Sequence, residues 1–159
     1  MFKPDDDGRP AALRLRPRHV LCAVGFEPVD GLRRYGHGDA MTANMARIVL
    51  GQLRAPDGRD VRVTIADSAD SFCAPCAYRA GGACRMQDRA KRIDAAHAKA
   101  LDIAPGDRMT WGELRDRVRA RVAPDDLDGL CEGCPWLPVG VCKRGVARLA
   151  DEPRPPPGG

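Results

Sequence analysis

Aromatic residues make up only 4% of the 159-residue chain, and it has just three histidines. With so few large rings and much of the 43% hydrophobic content supplied by alanine, each buried residue removes little apolar area from water. A lean core is therefore expected, of the kind that a metal or covalent crosslink supplements. Long apolar runs are missing too. No stretch approaches the roughly 18 uninterrupted apolar residues that cross a bilayer. The opening MFKPDDDGRPAALRLRP sets acids and prolines where a secretory leader requires an apolar segment. The expectation is a cytoplasmic protein with no membrane partner. Also lacking are a glycine-rich phosphate loop, a G-x-S-x-G elbow and the C-x3-C-x2-C pattern of radical enzymes, so no catalytic motif is recognisable and an enzyme is not the expectation. Charge is not strongly one-sided: the net value is +4. Arginines alternate with acids in DRAKRID and ELRDRVRAR, which reads as solvated helix faces rather than a phosphate-binding surface, and makes nucleic acid an unexpected partner.

What the chain does have is cysteine, seven in all. In a reducing compartment that number points to metal or redox chemistry rather than structural disulfides, and an odd count leaves one thiol over.

Periodicity predicts a mainly helical α+β fold in one small domain, residues 12–150, flanked by disordered segments at 1–11 and 151–159. Two short strands, ALRLR and VRVTIA, alternate and are expected to pair as a two-stranded sheet. RHVLCAVGF predicts a short helix ended by Gly25. Asp39 is the expected cap of a helix carrying Met45, Ile48, Val49, Gln52 and Leu53, after which APDG turns the chain. From Cys84 a stripe of Met86, Ala90, Ile93, His97 and Leu101 predicts another helix, stopped at Pro105 and Gly106. TWGE is a capping box opening a helix that runs through Val122. Pro124 opens a short helix over PDDLDGL, and a last helix follows Cys142.

Six cysteines fall into two triplets, CAPCAYRAGGAC at 73–84 and CEGCPWLPVGVC at 131–142, that superpose at a constant offset. Tyr78 falls on Trp136, Gly82 on Gly140, Ala83 on Val141 and Arg85 on Lys143. The shared demand is ligand geometry: two cysteines flanking two residues turn both thiolates to one ion or cluster across a tight turn. The third thiolate returns from the start of a helix, after a glycine that lets the chain pass close. Three thiolates are one short of a closed site, so two triplets want two more ligands. His19 and Cys22, three apart on one helical turn, make up the eight: Cys22, Cys73, Cys76, Cys84, Cys131, Cys134, Cys142 and His19. Taken singly, Cys22 and His19 read as ordinary residues of an apolar helix. His97 reads as a core or boundary residue, His37 as a loop residue in solvent, and Trp111 as a packing anchor.

The same ligands suit a structural zinc site or an iron–sulfur cluster. Against zinc, neither triplet has a second C-x-x-C at zinc-ribbon distance, and Ala77 and Pro135 stand where a zinc knuckle would place glycine. LRLRPRHVLC, the following GF, Asn44–Met45, CAPC with GGAC, TWGEL and CEGCPWLPVGVC together resemble the domain of unknown function 1284 family of bacteria and archaea, over roughly residues 13–142. The resemblance implies iron–sulfur binding, with all seven cysteines at family cysteine positions and His19 beside the first; Arg18 stands where a second histidine is expected. One or two clusters of the [4Fe–4S] kind, serving electron transfer or redox sensing with a redox partner protein, is the functional expectation. The alternative is a structural zinc module that binds protein or nucleic acid through LRLRPRH, a stretch that otherwise reads as a strand with a solvated arginine edge.

Overall fold

A computed structural model describes residues 13–27, 38–67, 70–72, 79–80, 83–84, 87–132, 134 and 137–152. Along the chain come β1 (Leu13–Leu15), α1 (Pro17–Gly25), α2 (Gly38–Ile48), a π-helical turn (Val49–Leu53), a 3-10 turn (Gly58–Asp60) and β2 (Arg62–Ile65). Then follow β3 (Arg79–Ala80), β4 (Ala83–Cys84), α3 (Gln87–Leu101), β5 (Arg108–Thr110), α4 (Trp111–Arg121), a 3-10 turn (Pro124–Asp126), α5 (Leu127–Leu130) and α6 (Val141–Asp151). The architecture is the expected small α+β domain dominated by helices. Residues 1–11 and most of the expected C-terminal tail lie outside the described residues, whereas Asp151 still belongs to α6.

The two predicted strands do pair, in parallel, with Leu13 opposite Val63 and Leu15 opposite Ile65. The sheet has a third strand that alternation did not reveal: β5 runs antiparallel along the other edge of β2, Val63 facing Met109. With only three residues, β5 is too short to carry a period; the turn at Asp107 and Gly106 fixes it, bonding back to both polar groups of Ile65. Gly106 takes a φ of 92°, the left-handed region that glycine tolerates. Leu13, Leu15, Val63 and Ile65 point to the core and Arg14 and Arg62 point out, as a two-residue period requires. The outer edge of β1 is occupied by the segment leading to the first triplet: Ser71 exchanges bonds with Arg14, and Asp70 accepts from the Arg16 amide at 2.6 Å.

Helix α1 opens on Pro17, whose fixed φ suits the first helical position and holds Arg16 extended. Its faces are buried almost all round, because it packs chiefly on α6 and then on α3. Helix α2 runs from Gly38, which places Asp39 in its first turn rather than before it. The TWGE capping box is present in full, Thr110 Oγ1 accepting from the Glu113 amide and Glu113 Oε2 from the Thr110 amide. Leucine, valine and isoleucine fill the core around Phe26, Phe72 and Trp111. Alanine contributes little, with only Ala23 and Ala66 among the buried apolar residues described. Among the described residues no helix is long and apolar enough to cross a membrane.

Arginines on the solvated face of α4 also serve the ends of neighbouring helices. Arg117 donates to the Asp102 carbonyl at 2.6 Å and Arg121 to Ala100 at 3.0 Å, closing the C-terminus of α3; Arg119 reaches Ala150 on α6. Arg54 does the same for α1, donating to Phe26 at 2.8 Å and to Ala23 and Val24. The last carbonyls of a helix lack intrahelical partners, and a guanidinium fork can serve several at once.

Candidate metal centre

Four sulfurs of the predicted ligand set are described, and the fold sets them in one neighbourhood, with Cys22 against Cys142 and with Cys131 influenced by Cys22 and Cys134. Cys131 closes α5, its amide bonding the Leu127 carbonyl, and from there the chain descends through successive three-residue turns: Cys134 to Cys131 at 2.8 Å, Leu137 to Cys134 and Gly140 to Leu137 at 3.1 Å. The first of these is the tight turn expected between the paired cysteines. Gly140, at φ 82°, then lets the backbone enter α6, where Cys142 is the second residue. Cys131 and Cys142 are buried, Cys22 and Cys134 half-buried against the same apolar cluster, and the four are thiols rather than disulfides.

Cys22 reaches them from the far end of the chain because α1 and α6 touch backbone to backbone. A Cβ on Gly145 would lie 2.5 Å from the Gly25 Cα, and one on Gly25 only 2.4 Å from the Cys142 Cα. No side chain larger than hydrogen fits that crossing. The thiol of Cys142 accordingly hydrogen-bonds Cys22, which pulls the Cys22 pKa down to about 6; burial opposes this, and the nearby His19 and Arg18 assist. The second proton of the pair is held tightly: Cys142 is raised well above the ordinary thiol value by the same hydrogen bond and by burial. Burial likewise raises Cys131, and the neighbouring Cys22 and Cys134 sulfurs raise it further.

The structure adds a residue that the sequence left in the core. His97 is buried on α3, its Nδ1 2.8 Å from the Ile93 carbonyl. A carbonyl only accepts, so Nδ1 carries the proton and Nε2 presents a lone pair, 3.4 Å from Cys131 Sγ. A single histidine in a stripe of apolar residues offers no sequence signal of that contact.

His19 is placed differently. Its Nδ1 meets Asp70 Oδ2 at 2.7 Å, and its ring lies against Phe72 with centroids 5.4 Å apart. Asp70 also accepts from the amides of Arg16 and Phe72, so the carboxylate is fixed and in turn orients the imidazole, an arrangement typical of metal-binding histidines. Beside it Arg16, expected on a solvated edge, is wholly buried, its guanidinium on Asp94 of α3 at 2.7 Å; Asp94 also accepts from the Arg18 amide. Neither aspartate carried a sequence cue.

Cys73, Cys76 and His37 lie outside the described residues, as do the aromatics Tyr78 and Trp136. Cys84 was expected at the start of a helix; its backbone is instead in β4, paired with Arg79, and α3 begins three residues later. Among the described residues, no three side chains of the His, Cys, Asp or Glu kinds are disposed to hold an ion as they stand. The sulfurs make local pairs, Cys22 with Cys142 and Cys131 with His97.

A small, mainly helical α+β domain with thiols meeting at a helix crossing is thus the class defined by the fold. The family model described as protein of unknown function (DUF1284) matches residues 36–140, and the chain belongs to that family. The match is narrower than the 13–142 suggested by the motifs: it includes Cys73, Cys76, Cys84, Cys131 and Cys134, while His19 and Cys22 precede it and Cys142 follows it. No curated protein and no solved structure matches the chain.

Proposed function

We propose that the protein binds an iron–sulfur cluster, with Cys22, Cys131, Cys134 and Cys142 as one four-thiolate site. The observation that carries this reading is the meeting of Cys22 with Cys142, residues 120 positions apart, at a crossing kept free of side chains by Gly25 and Gly145. The donor set suits the group. Several thiols crowded in an apolar pocket resist losing their protons together, and a bound cation reverses that by stabilising thiolates. His97 Nε2 is one more donor at its edge. The N-terminal helix also meets the residue that precedes the first triplet in the chain, Phe72 packing on His19. His19, oriented by Asp70, is the natural fourth ligand for Cys73, Cys76 and Cys84.

When bound, a cluster supplies a one-electron couple, and the half-buried Cys22 and Cys134 leave one side of the site close to solvent, where a redox partner protein can approach. Electron transfer or redox sensing in the cytoplasm is the role this supports. Zinc would use the same thiolates for a structural purpose, and the experiment separates the two. Protein purified without oxygen is expected to be brown, to contain iron and acid-labile sulfide, and to bleach with dithionite. Cys22→Ser should lose iron as severely as Cys134→Ser. Colourless protein containing stoichiometric zinc would replace the cluster reading, and full iron content in Cys22→Ser would remove α1 from the site.

A further inference from the structure

On another side of the α1–α6 crossing lies a cleft of about 510 Å³, walled by Ala23 and Val24 of α1 and by Gly145, Arg148 and Leu149 of α6. Its volume is in the range of small-molecule sites, roughly 300–1,000 Å³. Four of its lining residues are arginines, Arg54, Arg59, Arg115 and Arg148, against one acid, Glu152, and the buried Trp111 supplies an apolar surface beside them.

Three of the guanidiniums are anchored by carboxylates. Arg59 bonds Asp116 at 2.9 Å and lies against the bare face of Gly112; Arg148 bonds Glu27 at 2.8 Å; Arg115 bonds Glu152. Each has five N–H donors in a planar fork, so a single carboxylate leaves others available while fixing where the fork points. Arg54 differs: its hydrogen bonds end on carbonyls, and among the described residues no carboxylate forms an ion pair with it. Partial burial and the neighbouring Arg148 and Arg115 charges act against its cationic form, with Glu27 and Glu152 opposing them in part. An anion in the cleft would relieve that crowding and find several donors already oriented.

We propose that this cleft binds a small organic molecule bearing two or more oxyanion groups, phosphoryl or carboxylate, with Arg54, Arg59 and Arg148 as its donors. The site is independent of the cysteines and does not require them to be metallated.

Calorimetric titration of the full chain with inorganic pyrophosphate in one arm and citrate in the other tests it. Saturable one-to-one binding is expected in at least one arm. Pyrophosphate alone would identify a phosphoryl ligand, citrate alone a carboxylate, and both a general oxyanion site. Arg59→Gln and Arg148→Gln should each weaken binding about tenfold, as loss of one charge-assisted contact does. Their folds can be checked by thermal unfolding, since both residues sit in solvent-exposed ion pairs. Arg92→Gln, an exposed arginine of α3 outside the cleft, should change nothing. Absence of saturable binding in both arms, or equal weakening by Arg92→Gln, would overturn the proposal.

Discussion

At its first turn α1 is fixed by directional polar contacts, the Arg16–Asp94 ion pair and the hydrogen bond between His19 and Asp70, all largely shielded from water; at its last turn it is fixed by bare backbone, Gly25 against Gly145 and Cys142. The two ends solve one problem, holding Cys22 in place, by opposite physics. A buried ion pair is directional, and its partners must be present together, because either one left alone is a charge without solvent. A glycine crossing has no direction of its own but tolerates no added volume. The N-terminal end therefore sets the rotation and register of the helix, and the C-terminal end sets its distance from α6.

The comparison can be broken first at the charged end. Asp94→Ala removes the carboxylate that the buried Arg16 contacts at 2.7 Å and should destabilise the metal-free chain by about 3 kcal/mol, measured by urea unfolding; a loss under about 1 kcal/mol would mean that Arg16 is compensated from elsewhere. At the other end, Gly145→Ala forces a methyl group onto backbone that cannot move aside as a flexible side chain would. A loss of about 1–3 kcal/mol is expected. The thiols should respond as well, the rate of Cys22 alkylation losing its half-point near pH 6 as Cys142 moves away. An unchanged alkylation profile would show that the crossing does not set the thiol contact.

The smallest effect sharpens the comparison. His97 lies one turn beyond Asp94, and burial holds its pKa below the ordinary histidine value, against the opposing pull of the Ile93 carbonyl and Asp94. In the unfolded chain the ring titrates near its ordinary value of about 6.5. Between that value and the lower folded one, the unfolded state binds more protons, so stability falls as the pH falls. His97→Gln should flatten this slope in the metal-free chain by at most about 1.4 kcal/mol per pH unit. Parallel stability curves for the two proteins would show that the ring protonates equally in both states.

Local chemistry was legible in the sequence and distant chemistry was not. The capping box at Thr110 and Glu113 reads directly because its partners stand three residues apart. Pro17 and Gly25 bracket α1 for the same reason, and the alternation of β1 and β2 announces which leucines and valines face inward. Arg16 shows where such reading ends. In the alternation of LRLR it belongs outside with Arg14, yet the entry into α1 turns it toward Asp94, 78 residues on, and no local pattern marks that partner. The arginines of α4 are legible in part: their spacing gives the solvated face, while only the packing of α4 beside the ends of α3 and α6 gives Arg117, Arg119 and Arg121 carbonyls to bond. In the candidate site the sulfur spacing was readable, while the contact of His97 with Cys131 depends on how α3 lies beside the end of α5.

Asp70 and Ser71 occupy the hydrogen-bonding groups along the outer margin of β1 while leading the chain toward Cys73. The approach to the first triplet is therefore also the hem of the sheet. Peeling it back would bare a row of strand amides to other molecules, so whatever keeps that approach seated also guards the protein against self-association.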